Sequence, residues 1–387
     1  MMGSDRFLSR KYRHPFAVLL LALVLQSGCA IAQEALPEKR VIFYSTYAFH
    51  VTDSWQIPLK LWVYEEPDFA RRLAARAIRG ELQQRAEITE LSSLQSDRFF
   101  FRSHAFIADS ESREEIILQF DGDPDSTQFQ VLGTDGRTGT DRNGLLEGLL
   151  TISHEKAQAL LAAQNSADGW LSFRAVSAEH EGAGRVRLIA PKGISVISDV
   201  DDTIKITEIP LGEKAVLNNT FFAEFQAAPC MARMFSAMDP DTAFHYVSGG
   251  PWQMYQPLQD FLFSAPIGFP EGSFHMKDVR TNPFESESYE DIWSLIASGS
   301  QQVTYEQKIR QISVLLQRFP SRQFILIGDS GEQDPEVFAE IRRHFAGQLA
   351  EIRIRDVVNA AENAPDRLQG MTVILPGADE TGNCQLR

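Results

Sequence analysis

From Ser54 onward the chain alternates: Trp55, Ile57, Leu59, Leu61 and Val63 fall on one side, with Gln56 and Lys60 among the residues facing the other. A period of two predicts a half-buried strand. Further strand-like runs are read at 41–49, 98–107, 115–120, 128–132 and 170–176, with Asp135-Gly136 and Asn143-Gly144 as turn signals. Helical periodicity is confined to 68–85, which is amphipathic, and 154–164. Many short strands with few helices predict a mainly β, sandwich-like domain over 33–190.

Past about Arg185 the rhythm changes to strands alternating with helices, which predicts a parallel sheet. The strands are read at 194–198, 243–248, 273–277, 323–327 and 351–354. The helices between them are read at 216–238, 252–263, 305–318 and 334–345. Right-handed crossovers then give a three-layer α/β domain over 191–358. The tail, 359–387, is broken by proline and glycine and yields no element. Phenylalanine-rich stretches such as Phe221-Phe222 and Phe261-Leu262-Phe263 are read as core.

Composition adds limits. With 387 residues, 43% of them hydrophobic, the chain is globular and long enough for two domains. A net charge of -15 excludes nucleic acid as a partner and argues against nonspecific docking on an anionic membrane. The N-terminus reads as a signal peptide over 1–32: Arg6, Arg10, Lys11 and Arg13 precede a short apolar run and the small-x-small site Ala30-Ile31-Ala32. That reading makes the protein exported, to a periplasm, with Gln33 its first mature residue. The alternative is lipid anchoring through Cys29, after Ser27-Gly28. No later stretch is apolar enough to span a bilayer. Export permits a disulfide between Cys230 and Cys384, although the sequence does not show that they meet, and Cys230 is read as a small buried hydrophobe.

The candidate chemistry sits in the second domain. The β-branched run 194–198 stops abruptly at Asp199-Val200-Asp201-Asp202-Thr203. Three carboxylates crowded at the end of a buried strand repel one another unless a cation or a transferred group compensates them. The C-terminal ends of strands are also where open α/β sheets bind ligands. Ser248, followed by Gly249-Gly250, ends a second strand, and Gly328-Asp329 through Asp334 ends another. Lys308 lies on the helix before that last strand, with Lys277, itself ending a strand, as its rival. His50, His104 and His154 have no metal-ligand spacing, and Lys205 and His245 are read as structural.

D-x-D-x-T, a strand-ending serine, a helical lysine and G-D-x-x-x-x-D, in this order, resemble the haloacid-dehalogenase superfamily of phosphohydrolases. The closer resemblance is to the phosphatidate phosphatases named for an actin-patch protein, over 193–357, carried by ISDVDDTIK, VSGGPW and LIGDSGEQDPE. It implies a Rossmann-like, three-layer catalytic domain and a Mg²⁺-dependent phosphomonoesterase. Asp199 would be the nucleophile, and Asp201 would protonate the leaving alkoxide and then activate water. Asp199, Asp201 (through its carbonyl), Asp329 and Asp334 would hold Mg²⁺. Ser248 and Gly249, with Thr203, would bind the phosphate, and Lys308 would neutralise charge. Asp202 stands where many of the superfamily have glycine and is read as a loop contact.

The implied substrate is phosphatidate, met through transient membrane contact. The alternatives are a soluble or cell-wall phosphate ester, or an envelope-binding protein with a vestigial phosphatase. The short segment after Thr203 leaves no room for a large cap, and an insertion at 280–303 has the size of a small lid.

Overall fold

In the computed structural model, which describes residues 38–264, 267–278 and 301–387, the alternating run lies within a 12-residue strand. The expected signal segment, Cys29 and most of the insertion at 280–303 lie outside the described residues. The first sheet comprises β1 (Lys39–Phe43), β2 (Thr46–Val51), β3 (Ser54–Glu65), β4 (Asp109–Ser110), β5 (Ile117–Phe120), β6 (Gln128–Gln130), β7 (Leu145–Ser153), β8 (Trp170–Ala175), β9 (His180–Glu181) and β10 (Ala183–Leu188). Strand β3 is its hub, because its length lets it pair with β1, β2, β4 and β7. Most pairings are antiparallel, but β10 runs parallel to β2, so the sheet is mixed. The inward set of β3, Ile57, Leu59, Leu61 and Val63, packs with Phe173 and Val186 in one apolar cluster.

Helix α1 (Phe69–Arg85) follows the sequence reading, as does α3 (His154–Ala163). The run 98–107 does not: expected as a strand, it is the body of helix α2 (Ser93–Ile107). Ser92 caps that helix, its hydroxyl accepting from the Gln95 amide at 3.2 Å while the Gln95 side chain accepts from the Ser92 amide at 3.0 Å. Phe99, Arg102, Ser103 and Phe106 are buried at steps of three and four residues. The capping box and this period outweigh the β preference of three consecutive phenylalanines.

The second sheet has the order β13-β12-β11-β14-β15-β16-β17, formed by β11 (Ile194–Ser198), β12 (Ala243–Pro251), β13 (Ser273–Lys277), β14 (Gln323–Asp329), β15 (Leu349–Arg355), β16 (Thr372–Ala378) and β17 (Cys384–Leu386). The first six strands are parallel and β17 is antiparallel. The chain winds outward from β11 through β12 to β13, then crosses back to β14, so the direction of winding reverses between β11 and β14. A crevice opens at the C-terminal ends of the strands at such a reversal. The tail, for which the sequence offers no element, supplies β16 and β17.

One expected helix is broken. The stretch 216–238 forms α4 (Glu213–Leu217), a π-helical turn (Asn218–Phe222), a non-helical segment and α5 (Met231–Ser236). Within that segment Ala227 pairs with Lys205. Pro229 offers no amide proton, and Cys230 has φ 64°. Cys230 is also not the free hydrophobe expected of it: it forms a disulfide with Cys384, Cα–Cα 5.1 Å, tying α5 to the last strand. Among the described residues, three longer helices flank the sheet: α6 (Tyr255–Phe263), α7 (Gln301–Arg318) and α8 (Asp334–Phe345).

Two contacts matter for placing the site. The Tyr255 ring stacks on Tyr44 at 4.1 Å and its hydroxyl accepts from the Ser45 amide at 2.7 Å, joining α6 to the turn between β1 and β2. Buried Arg322 donates to the carbonyls of Ala190 and Lys192 and to Ser195 Oγ, at 2.7–2.8 Å, which fixes the start of β11.

Candidate active site

Strands β12, β11 and β14 are neighbours, so Ser248, Asp199 and Asp329 emerge side by side. The Asp199 amide still donates to the Ile327 carbonyl at 2.9 Å, which fixes the depth of its side chain relative to β14. Asp334 opens α8 and points back to the same spot, its Oδ2 accepting from the Asp329 amide at 3.2 Å. Gly328 makes that approach possible: a Cβ there would lie 2.5 Å from Asp334 Oδ2. One carboxylate oxygen from each of Asp199, Asp329 and Asp334 lies within 4.8 Å of the others, and all three residues are buried.

Lys308, also buried, reaches into this cluster from α7. Its Nζ is 2.8 Å from Asp199 Oδ1, 2.6 Å from Asp334 Oδ1 and 3.6 Å from Glu332 Oε2. Thr203 Oγ1 donates to Asp199 Oδ2 at 3.0 Å and lies 3.5 Å from Asp329 Oδ2. Burial, then the neighbouring acids, push Asp199 and Asp329 well above the usual carboxylate range, against the pull of Lys308. Glu332 is pushed up to about 7, again chiefly by burial. Burial alone would lower Lys308, but Asp199, Asp334 and Glu332 outweigh it and keep the ammonium charged. Lys277, the rival, is buried with no hydrogen-bond partner for its ammonium among the described residues, and burial pushes its pKa down. It is Lys308 that the fold brings to Asp199 and Asp334.

Asp201 sits in a second group beside the first. Its Oδ1 accepts from Thr207 Oγ1 at 2.5 Å and from Lys205 Nζ at 3.3 Å, and its Oδ2 from Ser248 Oγ at 3.3 Å. Burial would raise its pKa, but the Lys205 charge and these hydrogen bonds outweigh that and hold it below the usual range. Ser248 Oγ also accepts from the Gly250 amide at 2.9 Å. A Cβ at Gly249 would lie 2.8 Å from Thr304 Cγ2, so glycine lets α7 close over the strand end.

Asp202 has a structural answer. Its φ is 55°, a conformation costly for most side chains. Its carboxylate accepts from three successive amides, those of Thr207, Glu208 and Ile209, at 2.6–2.9 Å, and Arg355 donates to its carbonyl at 2.7 Å. These bonds offset the strain and hold the loop after Thr203.

Sequence reasoning passed over Glu332 and Thr207, and it read Lys205 as structural. Glu332 was within reach, since it lies inside the G-D-x-x-x-x-D stretch. Lys205 and Thr207 follow Asp201 by four and six residues, but only the turn that pairs Asp201 with Lys205 folds them back onto it. The site opens into a cavity of about 210 Å³, lined by Asp201, Lys308 and Asp334 and also by apolar Val216, Met254 and Leu258.

Comparison with known proteins bears on this region. Residues 194–356 match the family model described as "Phosphatidate phosphatase APP1, catalytic domain". Phosphatidate phosphatase APP1 of Saccharomyces cerevisiae is 31% identical over 182 residues, which is 46% of this chain and 28% of that protein. An uncharacterized protein of Schizosaccharomyces pombe is 29% identical over 179 residues, 45% of this chain and 27% of that protein. The match thus spans under a third of the length of these relatives. Among solved structures, a Ruminococcus gnavus β-glucuronidase reaches a TM-score of only 0.23 at 9% identity, covering 84% of this chain and 46% of that one, and carries no argument. On the strength of this match, residues 194–356 are similar to the catalytic domain of phosphatidate phosphatase APP1.

Proposed function

We propose that this protein is a Mg²⁺-dependent phosphomonoesterase that hydrolyses phosphatidate to diacylglycerol and phosphate through an aspartyl-phosphate, on a haloacid-dehalogenase-type three-layer domain. The observation that carries the reading is the meeting of Asp199, Asp329, Asp334 and Lys308 at the reversal point of a parallel sheet.

The donor set fits a hard divalent cation. Among the described residues, three buried carboxylates face a single ammonium, which leaves net negative charge in a low-dielectric site, and every donor is oxygen. Asp199, Asp329 and Asp334, with the Asp201 carbonyl that the family resemblance adds, would hold Mg²⁺, which would supply charge neutralisation for the phosphoryl oxygens.

The chain's own residues do the rest. Thr203 and Lys308 hold the Asp199 carboxylate from both sides, so it meets phosphorus in a fixed orientation. As the Asp199–phosphorus bond forms, the ester P–O bond breaks and Asp201 gives its proton to the departing alkoxide. Asp201, again ionised, then takes a proton from the water that cleaves the aspartyl-phosphate, returning Asp199 and releasing phosphate. The Lys205 and Thr207 contacts favour the ionised form, the one this second half needs. Ser248 and Gly249 border the same strand end and would orient the phosphate.

The lipid substrate rests on the relative's name and on the apolar side of the cavity, Val216, Met254 and Leu258. Export to an oxidising compartment, with 1–32 as the leader or Cys29 as an anchor, is supported by the Cys230–Cys384 disulfide. The deciding experiment is phosphate release from phosphatidate in mixed micelles, with Mg²⁺ and with chelator, beside Asp199→Asn. Metal-dependent release that vanishes in the variant is expected. Release that survives the substitution overturns the nucleophile. Release from short soluble esters but not from phosphatidate keeps the mechanism and removes the lipid.

A further inference from the structure

Helix α1 departs from the charge balance of the rest of the chain. Its 17 residues, FARRLAARAIRGELQQR, include five arginines and one glutamate, in a protein of net charge -15. The inner face, Ala75, Ile78 and Leu82, is buried. The outer face exposes Phe69 (74%) and Leu73 (54%), one turn apart, and beside them Arg72 and Arg76, also one turn apart. The other arginines are engaged: Arg71 with Asp109, Arg79 with Ser96, and Arg85 with Glu81 and Glu213. Among the described residues no carboxylate pairs with Arg72 or Arg76.

Two large apolar side chains flanked by two free guanidinium groups match a partner that has an apolar layer beneath an anionic one. Nucleic acid offers no such apolar layer. The far end of the helix is tied to the reaction cavity: Arg85 lies 3.3 Å from Glu213, a cavity-lining residue of α4, and Lys214 pairs with Glu87 at 2.5 Å. We propose that the outer face of α1 is a docking surface for an anionic phospholipid bilayer, with Phe69 and Leu73 entering the interface and Arg72 and Arg76 reaching phosphate. The net negative charge of the chain opposes approach by its other faces, so it orients the molecule with α1 toward the lipid. This deepens the lipid reading of the active site, yet its test does not involve hydrolysis.

An environment-sensitive fluorophore at Leu73→Cys, in the full chain carrying Cys29→Ser, reports insertion at this helix whatever else binds membrane. The control is the same label at Leu132→Cys, also an exposed position. Vesicles of phosphatidylcholine with phosphatidylglycerol are expected to blue-shift the label at 73 but not at 132, and phosphatidylcholine alone to shift neither. Arg72→Glu with Arg76→Glu is expected to raise the vesicle concentration needed for half the shift by about tenfold or more. No shift at 73 with any vesicle overturns the proposal, as does an equal shift in the charge-reversed protein. A shift that grows with protein concentration in the absence of vesicles overturns it in favour of a second copy of the chain. Phosphate release decides the active-site reading separately, so the two can fail independently.

Discussion

Lys308 Nζ lies 2.8 Å from Asp199 Oδ1 with both side chains buried, one delivered by helix α7 and the other by the end of strand β11. That pair sets the first prediction. Lys308→Met keeps most of the stem and removes the only ammonium in contact with Asp199 and Asp334 among the described residues. Breaking a buried ion pair in this way costs about 3–5 kcal/mol. Urea unfolding is expected to show that loss, and phosphate release to fall at least about a hundredfold. Near-normal turnover in the variant would remove Lys308 from the mechanism.

If the acid cluster holds Mg²⁺ as proposed, the metal is a stabiliser as well as a cofactor. At a Mg²⁺ concentration about a hundred times its dissociation constant, binding adds about 2.7 kcal/mol to the folded state. Thermal unfolding of the wild type is therefore expected to shift upward with Mg²⁺ and back with chelator. Asp329→Asn, which leaves the shape of the site nearly unchanged, is expected to lose that response. A Mg²⁺ shift of equal size in the variant would place the ion elsewhere.

Lys205 and Asp201 give a pH prediction with a definite sign. The Lys205 charge stabilises the ionised carboxylate, so Lys205→Met raises the Asp201 pKa toward the value burial alone favours. Protonated Asp201 then persists to higher pH. If Asp201 is the proton donor, the descending limb of kcat/KM against pH moves to higher pH in the variant. A limb that stays in place, or moves down, assigns the donor to another group.

The disulfide closes a loop of 154 residues between Cys230 and Cys384. In the chain-entropy account a loop of that size is worth about 5 kcal/mol. Cys384→Ser is expected to lower the unfolding midpoint substantially in non-reducing buffer. The acid cluster makes no use of either sulfur, so turnover of the still-folded variant at room temperature is expected to hold. A midpoint unchanged by the substitution would mean that the bond adds nothing to stability in solution.

What the sequence determined by itself was whatever depends on short-range order. The alternation in β3 and the buried runs of β11, β12, β13, β14 and β15 could be read directly, because a strand's pattern is local. So could Asp199, Asp201, Ser248 and Asp329, since residues that end adjacent parallel strands are brought together by topology alone. Asp334 was legible through the spacing of the motifs, and Lys308 as a candidate beside its rival Lys277. Elsewhere local preference and tertiary context disagreed. Three phenylalanines favoured a strand at 98–107 until a capping box and a helical burial period decided for α2. The tail holds the apolar run 371–375, but proline and glycine on either side masked it, and the edge of a formed sheet supplied the partners that made β16 and β17.

Only the folded chain could choose Lys308 over Lys277, pair Cys230 with Cys384, place Glu332 against Lys308, or turn Lys205 back onto Asp201. The physical reason is the same in each case. These contacts join residues whose separation along the chain carries no period, so nothing in the pattern encodes them. The charged contacts form because the packed fold buries carboxylates that nearby cations and hydroxyls then satisfy, and the disulfide because it brings Cys230 and Cys384 to a Cα–Cα distance of 5.1 Å.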